Sequence, residues 1–403
     1  MSTLLINLVS DQTIPNIQLF KEFKDEVSKI LFVSTDAMKK KRTLEWLTKV
    51  CLEIKNDISI GEIIVEQHNF QQIQNVLQEQ YNLLHGHFNK VVVNITCGTK
   101  IMSMAAFDFF KKLNKDNIYI YYLGEQSKMY LLSPNQNESV LHTELTVKEY
   151  LEAYGFNIVN KNGTEPYNNF DMTKRIFDNF KKLTTEYKDV LRIIQNHRKK
   201  KLTIDDSISK LLNFIKFTPA DNSKLSDTEN KYLSGGWFEE YVAEKIKYEL
   251  KLNDDCILLN PTLEKDRALQ NTNNHITLIG EDKFNTPKNE FDIIYLYNNN
   301  LHIIECKTSI IYETQENGKQ KNLLTDIIYK VDSLSSQFGL RAQTTICTLT
   351  DFKKFIGSNE KEKNNRLNAM SEQIARANLS RIKLIDGEML YSENKITDLM
   401  KLN

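Results

Sequence analysis

Short apolar strands alternating with helical stretches run from the start of the chain to Leu123, and that alternation is what most restricts the fold. Leu4–Val9, Lys29–Ser34, Ile60–Val65, Val91–Ile95 and Ile118–Leu123 read as strands. Between them, Ile17–Lys29, Met38–Val50, Asn69–Leu84 and Thr99–Leu113 read as helices. Such a repeat closes into a parallel, doubly wound α/β sheet with helices on both faces. Ligands of these sheets sit beyond the carboxyl ends of the strands, where strand order reverses. Tyr130–Leu132 adds a candidate edge hairpin.

The pattern changes near Val147. Val147–Tyr154, Asp171–Phe180 and Thr184–His197 read as helical, with a polar gap over Asn160–Asn169. The run Arg198-Lys-Lys-Lys201 follows; it suits either a patch against nucleic acid or, more simply, a solvated helix end. A third pattern begins near Asp227. Leu233-Ser-Gly-Gly-Trp-Phe-Glu-Glu240 opens a helix running to about Leu250. Strands are expected at Cys256–Asn260, His275–Ile279, Glu290–Tyr297, Leu301–Lys307, Thr344–Leu349 and Lys383–Asp386. Helices are expected at Leu323–Phe338, stopped by Gly339, and at Lys361–Asn378. The expected division is 1–148, a helical connector 149–225, and 226–403. At 403 residues the length itself argues for two or three domains.

One cluster of the third segment carries chemistry. Asn289-Glu290-Phe291-Asp292 and Ile304-Glu305-Cys306-Lys307 flank Asn298-Asn299-Asn300, and Asn tolerates the positive φ of a tight turn. If Asn298-Asn299 is a two-residue loop, Tyr297 faces Asn300, and Asp292 faces Glu305. Alternation then sets Asp292, Glu305 and Lys307 on one face, with Cys306 and His302 on the other. Glu290 would share the face of Asp292. Opposed carboxylates repel, so the pair needs a cation: either Lys307 alone, on a solvated hairpin, or a hard divalent ion. The apolar Ile303-Ile304 marks a central strand, where acids are unusual, and Glu239 upstream supplies a further carboxylate. Two acids, a metal and a lysine are what phosphodiester hydrolysis needs.

Composition excludes little. The 53 basic and 53 acidic side chains cancel, so any surface for nucleic acid has to be local. The five cysteines form no CxxC pair, against a zinc ribbon or redox motif. No signal peptide and no run long enough to span a bilayer is read, so a cytoplasmic location and no membrane partner are expected.

A second string, Val91-Val-Val-Asn-Ile-Thr-Cys-Gly-Thr-Lys100, ends a strand in a Gly/Thr/Lys turn at a helix start. Backbone N–H groups there favour anions, and Lys100, Asn94, Thr96 and Thr99 add charge and hydrogen bonding. An ordinary turn capped by Thr96 or Thr99 accounts for it equally well.

The third segment resembles the PD-(D/E)xK nuclease superfamily. The resemblance implies Asp292 and Glu305 as metal ligands, the Cys306 carbonyl as a third, Glu239 completing the acidic site, and Lys307 orienting water or stabilising the transition state. Lys330, on the next helix, would face either substrate or solvent. Phe291 stands where that superfamily usually has proline. The Asn94–Lys100 string resembles the N-x-T-G-G-T-K loop of CARF domains, Rossmann-like sensors of cyclic oligoadenylates, with Cys97 in place of the first glycine. By that resemblance Ser10, Gln12, Asn16, Thr35, Asn94, Thr96, Cys97, Gly98, Thr99 and Lys100 border the ligand. Met104 lies one turn further, where packing is the simpler role. A CARF-like half, a connector and a PD-(D/E)xK half in this order resemble the Card/Can effector nucleases of type III CRISPR systems. The family implies a homodimer with cyclic tetra-adenylate as allosteric activator across two CARF domains. It also implies Mn²⁺ or Mg²⁺ in the nuclease half, and DNA or RNA as substrate. A symmetric ligand suits a two-fold interface. Alternatives are a restriction- or repair-type endonuclease without nucleotide gating, and a non-catalytic sensor.

Overall fold

The computed structural model describes residues 2–125, 127–160, 170–198, 200–266, 289–313, 320–340, 342–352, 360–392 and 395–400. The expected strand His275–Ile279 and nearly all of the gap Asn160–Asn169 lie outside them.

The first half runs β1 (Thr3–Leu8), α1 (Ile14–Glu22), β2 (Val27–Ser34), α2 (Asp36–Lys40), α3 (Thr43–Ile54), β3 (Ser59–Ile64), α4 (Phe70–Leu84), β4 (Lys90–Asn94), α5 (Lys100–Leu113), β5 (Ile118–Leu123), β6 (Lys128–Ser133), β7 (Asn137–Val140) and α6 (Val147–Ala153). Its sheet has the order β3-β2-β1-β4-β5-β6-β7, parallel through β5 and antiparallel beyond. Strand alternation supplies two cores. Leu4, Ile6 and Leu8 enter the cluster under α4 and α5, while Leu5 and Val9 enter the one under α1, α3 and α6. Order reverses between β1 and β4, so the crevice opens at the loops after Leu8 and Asn94. Two helix expectations in this half change. The first helix, expected at Ile17–Lys29, spans Ile14–Glu22 with Pro15 in its first turn, and residues 27–29 open β2 instead. The second divides at Arg42, which has a left-handed φ of 62°.

The middle of the chain forms β8 (Phe156–Asn160), α7 (Phe170–Glu186), α8 (Lys188–Asn196), β9 (Leu202–Thr203), α9 (Asp206–Ile215), β10 (Lys224–Leu225) and α10 (Asp227–Lys231). After it come α11 (Trp237–Leu250), β11 (Ile257–Leu259), β12 (Thr262–Lys265), β13 (Asn289–Glu290), β14 (Ile293–Tyr297), β15 (Asn300–Lys307), β16 (Ile311–Glu313), β17 (Gln320–Asn322), α12 (Leu324–Ser335), β18 (Gln343–Thr348), α13 (Glu360–Leu379), β19 (Ile382–Ile385), α14 (Gly387–Tyr391) and α15 (Ile396–Met400). The second large sheet is β11-β14-β15-β18-β19: antiparallel from β11 to β15, parallel from β15 to β19. The middle segment is no detached linker. β8 pairs with β12, and α7 to α9 bury Ile176, Phe177, Ile194 and Leu211 in one cluster with Trp237, Phe238 and Ile304.

The two halves share a core. Ile294, Leu296, Leu301 and Ile303, from one face of the β14–β15 hairpin, join Phe291 and Phe338 in the cluster of Leu5, Phe20, Leu47 and Tyr150. The hairpin tip is pinned there as well. Asn299 Oδ1 accepts the Leu145 N–H at 2.9 Å, and its amide donates to Thr143 O and Ser127 Oγ, both at 3.2 Å. No helix among the described residues is long and apolar enough to cross a membrane.

Candidate active site and sensor crevice

The hairpin takes the two-residue turn. Asn298 and Asn299 have φ of 49° and 58°, Tyr297 pairs with Asn300, and Ile293 pairs with Ile304. This register brings Asp292 to the level of Glu305. The expected single strand Glu290–Tyr297 breaks, however. The Asn260 N–H bonds Asp292 O and Phe291 N bonds Pro261 O, so β13 turns away to pair with β12. Glu290 lies opposite Thr262, exposed and off the face it was expected to share with Asp292.

Asp292, Glu305 and Lys307 meet, Glu305 buried and the other two half-buried. The Lys307 ammonium is 2.8 Å from Glu305 Oε1 and 3.1 Å from Asp292 Oδ2, and it donates to Cys306 O at 3.0 Å. Asp292 Oδ2 also accepts the Cys306 N–H at 2.7 Å. Lys330, from α12, reaches Glu305 Oε1 at 3.0 Å. Three oxygens of hard-cation type therefore converge on one ammonium. Burial, then the charge of Glu305, raises Asp292 above the usual carboxylate range. Burial also works to raise Glu305, but Lys307 and Lys330 outweigh it and hold the group low. Lys307, despite the opposing effect of burial, is held above its ordinary value by Asp292 and Glu305.

Glu239 approaches from α11. It is buried, Oε2 has no hydrogen-bond partner among the described residues, and burial followed by the charge of Asp292 pushes the carboxyl up to about 7. Asn260 donates a side-chain hydrogen bond to it, and Arg198 Nη2 stands 4.0 Å from Oε1. Glu240 points elsewhere and accepts from Thr173 Oγ1 at 3.3 Å. Cys306 and His302 lie on the far face; His302 stacks on Tyr295 at 4.6 Å. Asn260 is the addition to the sequence reading and had no local signal. Lys330, expected to face substrate or solvent, instead pairs with Glu305, and Arg198, from the basic run, stands beside Glu239.

Asp351, Asp386 and Glu388 also bring carboxylate oxygens within 4.8 Å of one another. Asp386 is employed structurally there, capping α14 through Met389 N and accepting from Phe352 N.

In the first half, the loops after β1 and β4 meet. Asn94 is fully buried: its amide donates to Asn7 Oδ1, Pro15 O and Asn16 Oδ1, and its Oδ1 accepts Thr96 N. Asn16, also fully buried, donates to Leu8 O. Cys97 is buried, its thiol on Gln12 O at 3.0 Å. Thr35 caps α2 through Met38 N. Asn94, Asn16 and Cys97 bind the crevice together from within, whereas the Thr35 side chain is taken up by its own helix. Thr96 accepts Leu123 N, Thr99 caps α5 and donates to Gln67 O, and Gly98 has φ 84° against Leu8 and Met102. Ser10, Gln12, Thr96, Gly98 and Thr99 are partly open to solvent, and Lys100 is exposed. Met104, expected to pack, is 64% exposed instead. Gln12 has a second role: its Oε1 accepts the Leu340 N–H at 3.2 Å and the Tyr154 hydroxyl at 3.4 Å. Tyr150 bonds Phe338 O beside it.

Residues 4–150 match the family model of the Card1 CARF domain, and residues 226–388 match that of the Card1-like endonuclease domain. Can2 from Sulfobacillus thermosulfidooxidans, solved in complex with cyclic tetra-adenylate, has a similar structure. That similarity covers 100% of this chain and 98% of Can2, at TM-score 0.65 and 21% identity. Protein VC1899 from Vibrio cholerae is similar over 99% of this chain and 96% of its own, at TM-score 0.69 and 17% identity. A type III CRISPR defence DNA nuclease activated by cyclic oligoadenylate is similar over 86% of this chain but 45% of its own, at TM-score 0.53 and 14% identity. At these identities the structures share a fold with this chain. No curated protein matches it.

Proposed function

Because the chain belongs to the Card1-like family, which joins a CARF sensor to an endonuclease domain, we propose that it is a divalent-metal-dependent endonuclease gated by a cyclic oligoadenylate. The observation that carries this reading is the convergence of Asp292 Oδ2, Glu305 Oε1 and Cys306 O on Lys307 Nζ, beside a Glu239 Oε2 without a partner among the described residues. That donor set is all oxygen and suits Mg²⁺ or Mn²⁺. Asp292, Glu305 and the Cys306 carbonyl would hold the ion, with Glu239 completing the site. The ion supplies Lewis-acid polarisation of the scissile phosphate.

The chain's own groups do the rest. Lys307, released from the carboxylates, turns its Nζ toward the phosphate and offsets the charge that grows there in the transition state. Glu239, completing the acidic site, orients the attacking water through its carboxylate. Lys330 keeps Glu305 ionised and oriented.

The proposed activator site is the crevice of Ser10, Gln12, Thr96, Gly98, Thr99 and Lys100, with the N-terminus of α5 favouring phosphate. Can2 binding cyclic tetra-adenylate supports that ring as the activator. Two chains related by a two-fold axis would share the symmetric ligand. With both halves built on one core, activation changes how two chains face each other, and it requires a ligand that prefers the active arrangement. The substrate is DNA, RNA or both, and the protein acts in the cytoplasm.

The test uses purified protein, Mn²⁺, cyclic tri-, tetra- and hexa-adenylate, and single- and double-stranded DNA and RNA. Cleavage that needs both metal and one of the rings, and that Glu305→Ala abolishes, is expected. Equal cleavage by Glu305→Ala, or full cleavage without nucleotide, overturns the reading.

A further inference from the structure

Arg198 is brought to the nuclease site, with Lys200 and Lys201 close behind it in sequence. They belong to the turn after α8, with Arg198 N on Gln195 O and Lys200 N on His197 O. The turn is built in from both sides. Asn230, fully buried on α10, donates to Lys200 O at 2.7 Å, and Leu202 pairs with Leu225 directly afterwards. Because α10 leads into α11, the element that fixes this turn also positions Glu239.

The side chains stay available. Arg198 is 45% exposed, and Lys200 and Lys201 are exposed. At 4.0 Å from Glu239 Oε1, Arg198 feels that carboxyl without spending a hydrogen bond on it. A buried acidic site repels a polyanion, and the chain's net charge is zero, so attraction has to come from cations placed beside the acids. A guanidinium adjoining the carboxylate and two ammoniums further along the turn suit successive phosphates.

We propose that Arg198, Lys200 and Lys201 dock the phosphate backbone of the nucleic acid substrate, Arg198 holding a phosphate beside the scissile one. This rests on the nuclease reading, so its test includes a measurement that needs no cleavage. Binding of a fluorescein-labelled single-stranded oligothymidylate to the full-length protein is followed by anisotropy in EDTA across a NaCl series. Cleavage by the activated, Mn²⁺-loaded protein is followed in parallel. Each lost phosphate contact should lower the slope of log affinity against log salt by about 0.7. Arg198→Ala should therefore lower it by about 0.7, and Lys200→Ala with Lys201→Ala by about 1.4. The loss of cleavage should fall mainly in KM, and Arg198→Lys should recover the slope. The lysine pair is exposed, so that variant folds even if Arg198→Ala does not. Unchanged slopes in the lysine pair, or a wild-type protein that does not bind the oligonucleotide, overturn the proposal. Absence of cleavage with normal binding and slopes would instead count against the nuclease reading alone.

Discussion

The Gln12 side-chain oxygen accepts the Leu340 backbone N–H at 3.2 Å, which ties the loop after β1 to the corner that follows α12. The same helix carries Lys330, held on Glu305 at 3.0 Å. One short helix therefore touches the proposed activator crevice at one end and an acid of the proposed nuclease site along its length. Gly339 makes the close approach possible: its φ is 81°, and a Cβ there would collide with the Tyr154 hydroxyl and crowd Gln12.

Gln12→Ala should raise the activator concentration for half-maximal cleavage about five-fold or more, the lower end of ordinary coupling energies. The Leu340 N–H is exposed and can turn to water, so the urea midpoint should barely move. An unchanged activator titration would show that the corner transmits nothing.

Lys307→Met removes the ammonium that satisfies Asp292, Glu305 and the Cys306 carbonyl together. Cleavage should fall about a hundred-fold or more, as when one charge-stabilising donor is lost. Mn²⁺ affinity, read by calorimetry, should hold or tighten, because the competing cation has gone. Parallel loss of metal binding and cleavage would assign Lys307 to holding the site together and not to the chemistry.

With its carboxyl near 7, Glu239 keeps its proton until about neutrality, and a cation has to displace it. Apparent Mn²⁺ affinity should rise about ten-fold per pH unit up to about 7 and then level off, a slope that Glu239→Gln removes. Without metal the sign on folding is opposite. The raised value gives stability fully present below about 4.5 and lost as pH rises through about 7. A flat metal titration in the wild type would refute the shift.

His302 is pushed down to about 4 by burial against Tyr295. The unfolded chain binds its proton more readily, so this contribution is intact above about 6.5 and is lost as pH falls toward 4. The loss is on the order of 1 kcal/mol per pH unit in that window. His302→Phe keeps a stacked ring and should flatten the acid limb of denaturant midpoints; an unaltered limb would place the acid sensitivity elsewhere.

The hairpin register was readable because two successive asparagines at φ of 49° and 58° permit one short turn, and the turn fixes every pair beyond it. The strand break before Asp292 was not readable. It depends on Asn260 and Pro261 bonding backbone groups about thirty positions away. Asn94, at the end of β4, and Asn16, in the first turn of α1, show another boundary: polar residues there mark a crevice, but only packing tells whether they face its ligand or its neighbouring loop. Lys330 and Arg198 belong to elements whose spatial neighbours no local pattern encodes.

The pinned hairpin and its shared core bear on modularity. A fragment starting at residue 226 would uncover Phe291, Ile294, Leu296, Leu301, Ile303 and Phe338. At about 2 kcal/mol for each buried side chain, the loss is on the order of 10 kcal/mol, comparable to the whole stability of an ordinary domain. The two halves are thus not interchangeable cassettes. A graft that swaps the sensor has to carry Thr143, Leu145 and the apolar surface around them, or the cutting half arrives without its floor.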